Sequence, residues 1–218
     1  MVRFSNDADI VKYEPILFGE LYFPWQVLVS GSGGVLAGTS FTDGEGDFVS
    51  GGVAAGHVIY MRSEVAGLDM AAEVVSVESA TELTVSVIRA DLEGEAIAPR
   101  AATGVSYRIS TFDPQASEAA FLLTEHYGLR PGNPAGEYDV SDILDTKVLK
   151  QVSVFAVLSG VYATLASKDK DENFWKKSLY YQKLYEKARG RCRLSIDVGS
   201  DGAADVIMLG SSGRLLRD

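Results

Sequence analysis

Two periods of hydrophobicity divide this chain. Up to about residue 112, apolar side chains come in short runs or on every second residue; from there to about residue 193 they recur every three or four residues. The clearest alternation is Leu83-Thr84-Val85-Ser86-Val87-Ile88, where Leu83, Val85 and Val87 fall on one side of an extended chain and Thr84 and Ser86 on the other. Glu73-Val74-Val75-Ser76-Val77-Glu78 precedes it across a short connection, which predicts a pair of strands. His57-Val58-Ile59-Tyr60-Met61, after Gly56, predicts a buried strand, and residues 105–111 predict another. Nearer the start, residues 23–29 read as a strand, Gly31-Ser32-Gly33-Gly34 as a turn and residues 35–41 as its partner. Ahead of these, Asn6 or Asp7 can cap a short helix with Ile10, Val11 and Tyr13 on its apolar side, ending near Pro15. Short strands joined by Gly-rich turns predict a small antiparallel β-barrel or sandwich over residues 25–112, preceded by an N-terminal helix and linker over residues 1–24.

The helical spacing starts sharply. Asp113 before Pro114 is a good N-cap followed by a good first helical residue, and Ala116, Ala119, Ala120, Leu123 and Tyr127 share one face up to Gly128. The stretch 130–136, rich in Pro and Gly, allows a change of direction. Ser141 can cap a second helix running to about residue 166. Its apolar positions (Val148, Leu149, Val152, Phe155, Val161, Tyr162 and Leu165 among them) cover much of the circumference, so it is expected to be the most buried element, with Gly160 marking close packing. Asp171 introduces a third helix to about residue 190, with Trp175, Leu179, Tyr181, Leu184, Tyr185 and Ala188 facing inward. The pattern therefore predicts an α+β chain: the barrel, a three-helix bundle over residues 113–193, and an extended C-terminal tail over residues 194–218.

Composition narrows the class. With 218 residues, 46% of them hydrophobic, the chain can build a sizeable core, which excludes a disordered tail or a collagen-like rod. The lone Cys192 excludes an intrachain disulfide framework and a Cys-rich zinc site, and reads as a small buried hydrophobe near a helix end. Residues 1–10 show no signal-peptide pattern, and the apolar stretch 152–166 is shorter and more mixed than the roughly 20 apolar residues of a membrane span. A soluble protein of the cell interior, without a membrane partner, is expected.

Charge is more informative by segment than in total. The net charge of −10 argues against a generic nucleic-acid binder, while leaving contact with DNA open. Residues 1–146 hold 7 basic and 22 acidic residues, net −15; residues 147–193 hold 11 basic and 4 acidic, net +7. The basic excess is concentrated in Lys176, Lys177, Lys183, Lys187, Arg189, Arg191 and Arg193, on or just past a helix that also carries Trp175, Tyr180, Tyr181 and Tyr185. Two readings stand side by side: a solvated face whose long stems cover aromatic packing, or an interface that meets an acidic surface on another copy.

Motifs for chemistry are sparse. Gly31, Gly33, Gly34 and Gly38 lack the spacing and the following helix of a dinucleotide loop, and no Lys-Ser/Thr pair completes a P-loop. Asp197, Asp201 and Asp205, with Gly202, partly match a calcium loop, but Gly199 and Met208 stand where two side-chain ligands belong, so a Gly/Asp turn is the expected reading beside a weak cation site. His57 and His126 are the only histidines and belong to no hydrolase or zinc-protease pattern. No enzyme, cofactor or metal is expected.

Two stretches carry a resemblance. Gly38-Thr39-Ser40-Phe41-Thr42-Asp43, Asp47-Phe48-Val49 and Gly52-Val53-Ala54-Ala55-Gly56-His57-Val58-Ile59-Tyr60 together resemble a β-module of tailed-phage virion proteins, with His57 where aspartate is common. Residues 148–165, then Trp175-Lys176-Lys177-Ser178-Leu179-Tyr180-Tyr181, then residues 196–205 resemble the helical head–tail adaptor (connector) proteins of tailed phages. The resemblance implies a phage or prophage virion protein, assembled in the bacterial cytoplasm. It would form a homo-oligomeric ring between portal and tail proteins, its tail gripping a neighbour. Alternatives are another phage tail or baseplate component, or a bacterial binding or enzymatic domain with a pocket between barrel and helices.

Overall fold

The computed structural model describes residues 2–90, 94–169, 171–210 and 213–216, and the chain divides into two units, residues 6–112 and residues up to Ser5 together with those from Asp113 onward. The class is α+β, a closed antiparallel barrel plus a helical part.

The first unit opens with helix α1 (Asp7–Val11), capped as expected by Asn6, whose side chain accepts the Asp9 N–H while Asp9 reaches back to the Asn6 N–H. A second short helix, α2 (Ile16–Gly19), follows. Six strands come next: β1 (Val27–Ala37), β2 (Ser40–Thr42), β3 (Val58–Ser63), β4 (Leu68–Ser79), β5 (Glu82–Ser86) and β6 (Ala102–Ser110). They close in the order β1-β2-β5-β4-β3-β6, every pairing antiparallel. A six-stranded barrel is narrow enough for side chains alone to fill it. Phe41, Phe48, Ile59, Met61, Leu83 and Ile109 do so, with Val53 beside them. Phe48 comes from the loop after β2 rather than from a strand; its ring lies among Phe41 and Tyr107, with centroids 6.2 and 6.0 Å away, so the loop acts as a plug.

Two expectations about this unit fail. Gly31-Ser32-Gly33-Gly34 is not a turn; β1 runs through it, and the chain reverses at Gly38, where φ is +63° and Ala37 pairs with Ser40. The glycines serve close approach instead. A Cβ on Gly31 would lie 2.7 Å from the Tyr107 ring, and one on Gly34 2.5 Å from the Phe41 ring. Residues 24–26, expected as strand, form a single 3₁₀ turn that Pro24 begins.

The second unit contains α3 (Asp113–His126), α4 (Lys150–Asp169), α5 (Glu172–Arg191), β7 (Arg193–Ile196), β8 (Val206–Leu209) and β9 (Gly213–Leu216). The inward face of α3 is as expected, and Gly128 ends the segment with φ +68°. Helix α4 starts later than Ser141. Residues 140–142 and 146–149 are separate 3₁₀ turns capped by Asp139 and Asp145. Between them the backbone is extended and bonds to β7, Leu144 N–H donating to the Ser195 carbonyl at 3.0 Å and Asp197 N–H to the Asp142 carbonyl at 2.8 Å. Backbone committed to β7 cannot also close helical turns.

Helix α4 is central, with Val152, Val154, Val157, Leu158, Val161, Tyr162 and Leu165 all buried. Residues 146–168 are long and apolar enough to cross a bilayer by length and composition, with mean hydropathy 1.5, and 56% of that window is buried within the protein. Gly160 contradicts the expectation of close packing: it is exposed, and a Cβ there would meet nothing within 4 Å. The close approach lies one residue earlier. Ser159 Oγ–H donates to the Ser178 carbonyl (3.2 Å) and Ser178 Oγ–H to the Ser159 carbonyl (2.9 Å), drawing α4 and α5 together. That contact sets the phase of α5. Phe174, Ser178, Tyr181, Tyr185 and Ala188, at 4-3-4-3 spacing, form its inner line, so Trp175 (54% exposed) and Leu179 (39%), expected inside, point outward.

The segment expected as an extended tail is extended strand by strand but turns back twice, as the antiparallel meander β7-β8-β9. Leu194, Ile196 and Val206 lie in one core with Leu123, Leu149, Val152 and Phe4, which explains why these residues fold back. The N-terminal residues belong to the same unit, where Ser5 and Ser153 share a buried hydrogen bond of 2.8 Å.

Candidate functional site

The seven basic residues singled out around α5 fall into three groups. Lys176, Lys183, Lys187 and Arg191 recur at seven- and four-residue spacing, which places them in one row along the helix. Lys176 is in an exposed ion pair with Glu172 at 3.3 Å, worth at most a few tenths of a kcal/mol. Lys177 and Arg189 lie off this row and act on the aromatic seam. Lys177 Nζ donates to the Tyr162 hydroxyl at 3.0 Å and sits 4.7 Å from that ring's centroid; Arg189 Nη1 donates to the Tyr185 hydroxyl at 3.3 Å. The seam itself stacks Tyr162 on Tyr181, with centroids 5.9 Å apart and planes 4° from parallel. The solvated-face reading of the basic helix therefore divides among residues: two cations cover aromatic packing, and the row faces solvent.

Arg193, on β7, joins the end of that row. With Lys187 and Arg191 it rims a groove of about 500 Å³ between α4, α5 and β7. Its apolar floor is Val148, Val152, Phe155 and Leu184, with Val148 40% exposed. Lys183, Lys187, Arg191 and Arg193 form no ion pair among the described residues. Cys192 lines the same groove and is buried; burial pushes its thiol above the ordinary range, partly offset by hydrogen bonds from Tyr127 and the Arg193 N–H, which makes it a poor nucleophile. Burial, with the Cys192 contact, also raises Tyr127.

A second surface, on the barrel, emerges only from the fold. The loop after β2 is tied to the β4–β5 turn, Asp43 N–H donating to the Thr81 carbonyl at 3.0 Å and Phe48 N–H to the Ala80 carbonyl at 2.8 Å. This gathers Glu45, Asp47, Glu78 and Glu82 at one end of the barrel, and residues 42–50 and 78–82 contain no Lys or Arg. Val49 stands exposed at 60% in the same loop, above the fully buried Phe48. Hydrogen bonds from Ser50 lower the Asp47 carboxyl, and those from Ser76 and Thr84 lower Glu78, so both stay ionised well into acid. Asp43 is different: it is buried and accepts from the Tyr107 hydroxyl at 2.7 Å and the Glu45 N–H at 3.1 Å. Burial, then Asp43, raises Tyr107. The sequence motif around Asp47-Phe48-Val49 was visible, but nothing in it signals that Glu78 and Glu82 lie alongside, since that depends on β2 pairing with β5.

The remaining candidates resolve into backbone support. Asp197 accepts the N–H groups of Asp201 (3.3 Å) and Gly202 (2.8 Å), Asp205 those of Val198 (2.8 Å) and Gly199 (3.2 Å), and Asp201 that of Ala203 (2.9 Å). All three carboxylates thus close their own loop, as a Gly/Asp turn requires. His57 Nδ1 accepts the Ala54 N–H at 3.1 Å, and His126 Nε2 contacts the Gly210 carbonyl at 3.1 Å. No protein family, characterised protein or solved structure was found to match the chain.

Proposed function

We propose that this chain is a non-enzymatic structural protein of a tailed-phage or prophage virion, a head–tail adaptor that assembles as a ring between portal and tail. One observation supports the reading above the others: charge is divided between the two units. Residues 6–112 hold 5 basic and 15 acidic residues, the whole net charge of −10, while the remainder is balanced and carries the solvated basic row and groove. Chains that bear opposite charge at different places attract copies head to tail, and such heterologous contacts close into rings when the rotation fits. Of the residues that the sequence singled out for chemistry, His57 through Nδ1, His126 and the three loop aspartates each bond to backbone.

Mass measurement of the purified protein, with and without a portal ring, tests the reading. Concentration-dependent oligomers, or a stable complex with the portal, are expected. A chain that stays monomeric at high concentration and also ignores the portal overturns it, and one that joins tail rings instead belongs elsewhere in the virion.

A further inference from the structure

We propose that the groove beside α5 of one copy receives the acidic barrel end of a second copy, with Val49 as the apolar anchor and Glu45 and Asp47 against the rim cations. The inference rests on the assembly reading and names the two surfaces that would carry it. Three properties match. In sign, the rim offers Lys187, Arg191 and Arg193, and the barrel end offers Glu45 and Asp47 backed by Glu78 and Glu82, with no cation in either of its two segments. In polarity, a groove of about 500 Å³ with an apolar floor faces a valine that is 60% exposed. In rigidity, both partners are pre-shaped. Phe48 is fully buried and pins the base of Val49, while the paired Ser159–Ser178 bonds and the Tyr162–Tyr181 stack hold the groove walls. Pre-shaped surfaces lose little freedom on docking, so a modest contact can suffice.

A second copy is the occupant that the charge distribution favours, since the complementary surface is already present on this chain. The contact is between unlike surfaces, so any open chain of copies leaves one groove unfilled at one end and one barrel end at the other, and addition continues until a ring closes.

The test uses two full-length double variants followed by sedimentation velocity, with circular dichroism to verify folding. One is Lys187→Glu/Arg191→Glu, which reverses the rim; the other is Glu45→Lys/Asp47→Lys, which reverses the barrel end. Each alone is expected to weaken self-association by about 100-fold or more, because like charges then face each other. Mixed in equal amounts, they should pair again, because the intact barrel end of the first meets the intact groove of the second and the two reversed surfaces are themselves opposite in sign, so dimers and larger alternating assemblies both return. Val49→Ser, with every charge intact, should weaken association about tenfold through loss of the apolar anchor. Either double variant assembling like the parent, or a mixture that gives no dimer, overturns the groove contact while leaving assembly through another surface standing. A parent that is monomeric alone yet binds the portal also overturns the groove contact and keeps the adaptor reading. A parent that does neither removes both.

Discussion

Gly160 and Asp47 show how differently two exposed residues can bear on stability. Gly160 lies in a helix interior with open space where a side chain would be, so Gly160→Ala should stabilise the protein by about 0.4–1 kcal/mol, read as a higher urea midpoint with an unchanged slope. Asp47 is held below the ordinary carboxylate value by its bonds from Ser50. A lowered folded pKa adds stability that is complete above the unfolded value and is lost as pH falls through the folded one. The melting-temperature difference between Asp47→Asn and the parent should therefore be constant from neutral pH to about 5 and shrink below about pH 4. At this scale the sequence was legible where capping chemistry speaks, as at Asn6 and Asp171, each of which accepts a backbone N–H as its position demands. It was not legible at Gly31 and Gly34. A glycine that permits a turn and a glycine that admits a neighbouring ring look alike until the ring is placed.

Among elements, the barrel and the helix pair depend on polar contacts inside apolar surroundings. Glu73 on β4 and Arg89 after β5 form a buried bidentate pair, at 2.7 and 3.3 Å, and Arg89 also donates to the Gly94 carbonyl, which fastens the connection to β6. Arg89→Met would leave the Glu73 carboxylate buried without its charge partner, at a cost of about 3–5 kcal/mol in urea unfolding; Glu73→Leu with Arg89→Met should recover much of that loss. The α4–α5 seam offers a parallel case. Ser178→Leu removes the hydrogen bond that the Ser178 hydroxyl donates to the Ser159 carbonyl and forces a larger side chain into the closest point of approach, so a loss of about 2–4 kcal/mol is expected. The elements themselves were largely visible in hydrophobic period. The phase of α5 was not, because Trp175 and Leu179 are as apolar as the residues that do face inward, and a serine pair chose between the two faces.

For the molecule as a whole, separation of charge is the property with the widest reach. The barrel unit carries the net −10, and the basic row lies on the other unit. Attraction between such copies acts over roughly 8–10 Å at physiological salt. Raising the salt from about 50 to 500 mM should lower the association constant severalfold while leaving the unfolding midpoint of the monomeric variants nearly unchanged; sedimentation and thermal melts on the same samples check both halves. The basic half of the candidate interface could be read along one helix. The acidic half could not, because Glu45 and Asp47 meet Glu78 and Glu82 only through the pairing of β2 with β5.

The closure of the barrel bears on how copies can join. An open sheet presents unpaired N–H and C=O groups that can template the addition of any passing strand, a route to fibres that is hard to reverse. Here β1 pairs with β6 and the ring of strands is complete, so the acidic unit has no such template to offer. Among the described residues the open sheet is the C-terminal meander, whose β7 is already bridged on its outer side by Ile143. Joining through the barrel is left to side chains, and a joint made of side chains can be adjusted, undone and remade while an assembly searches for its closed form.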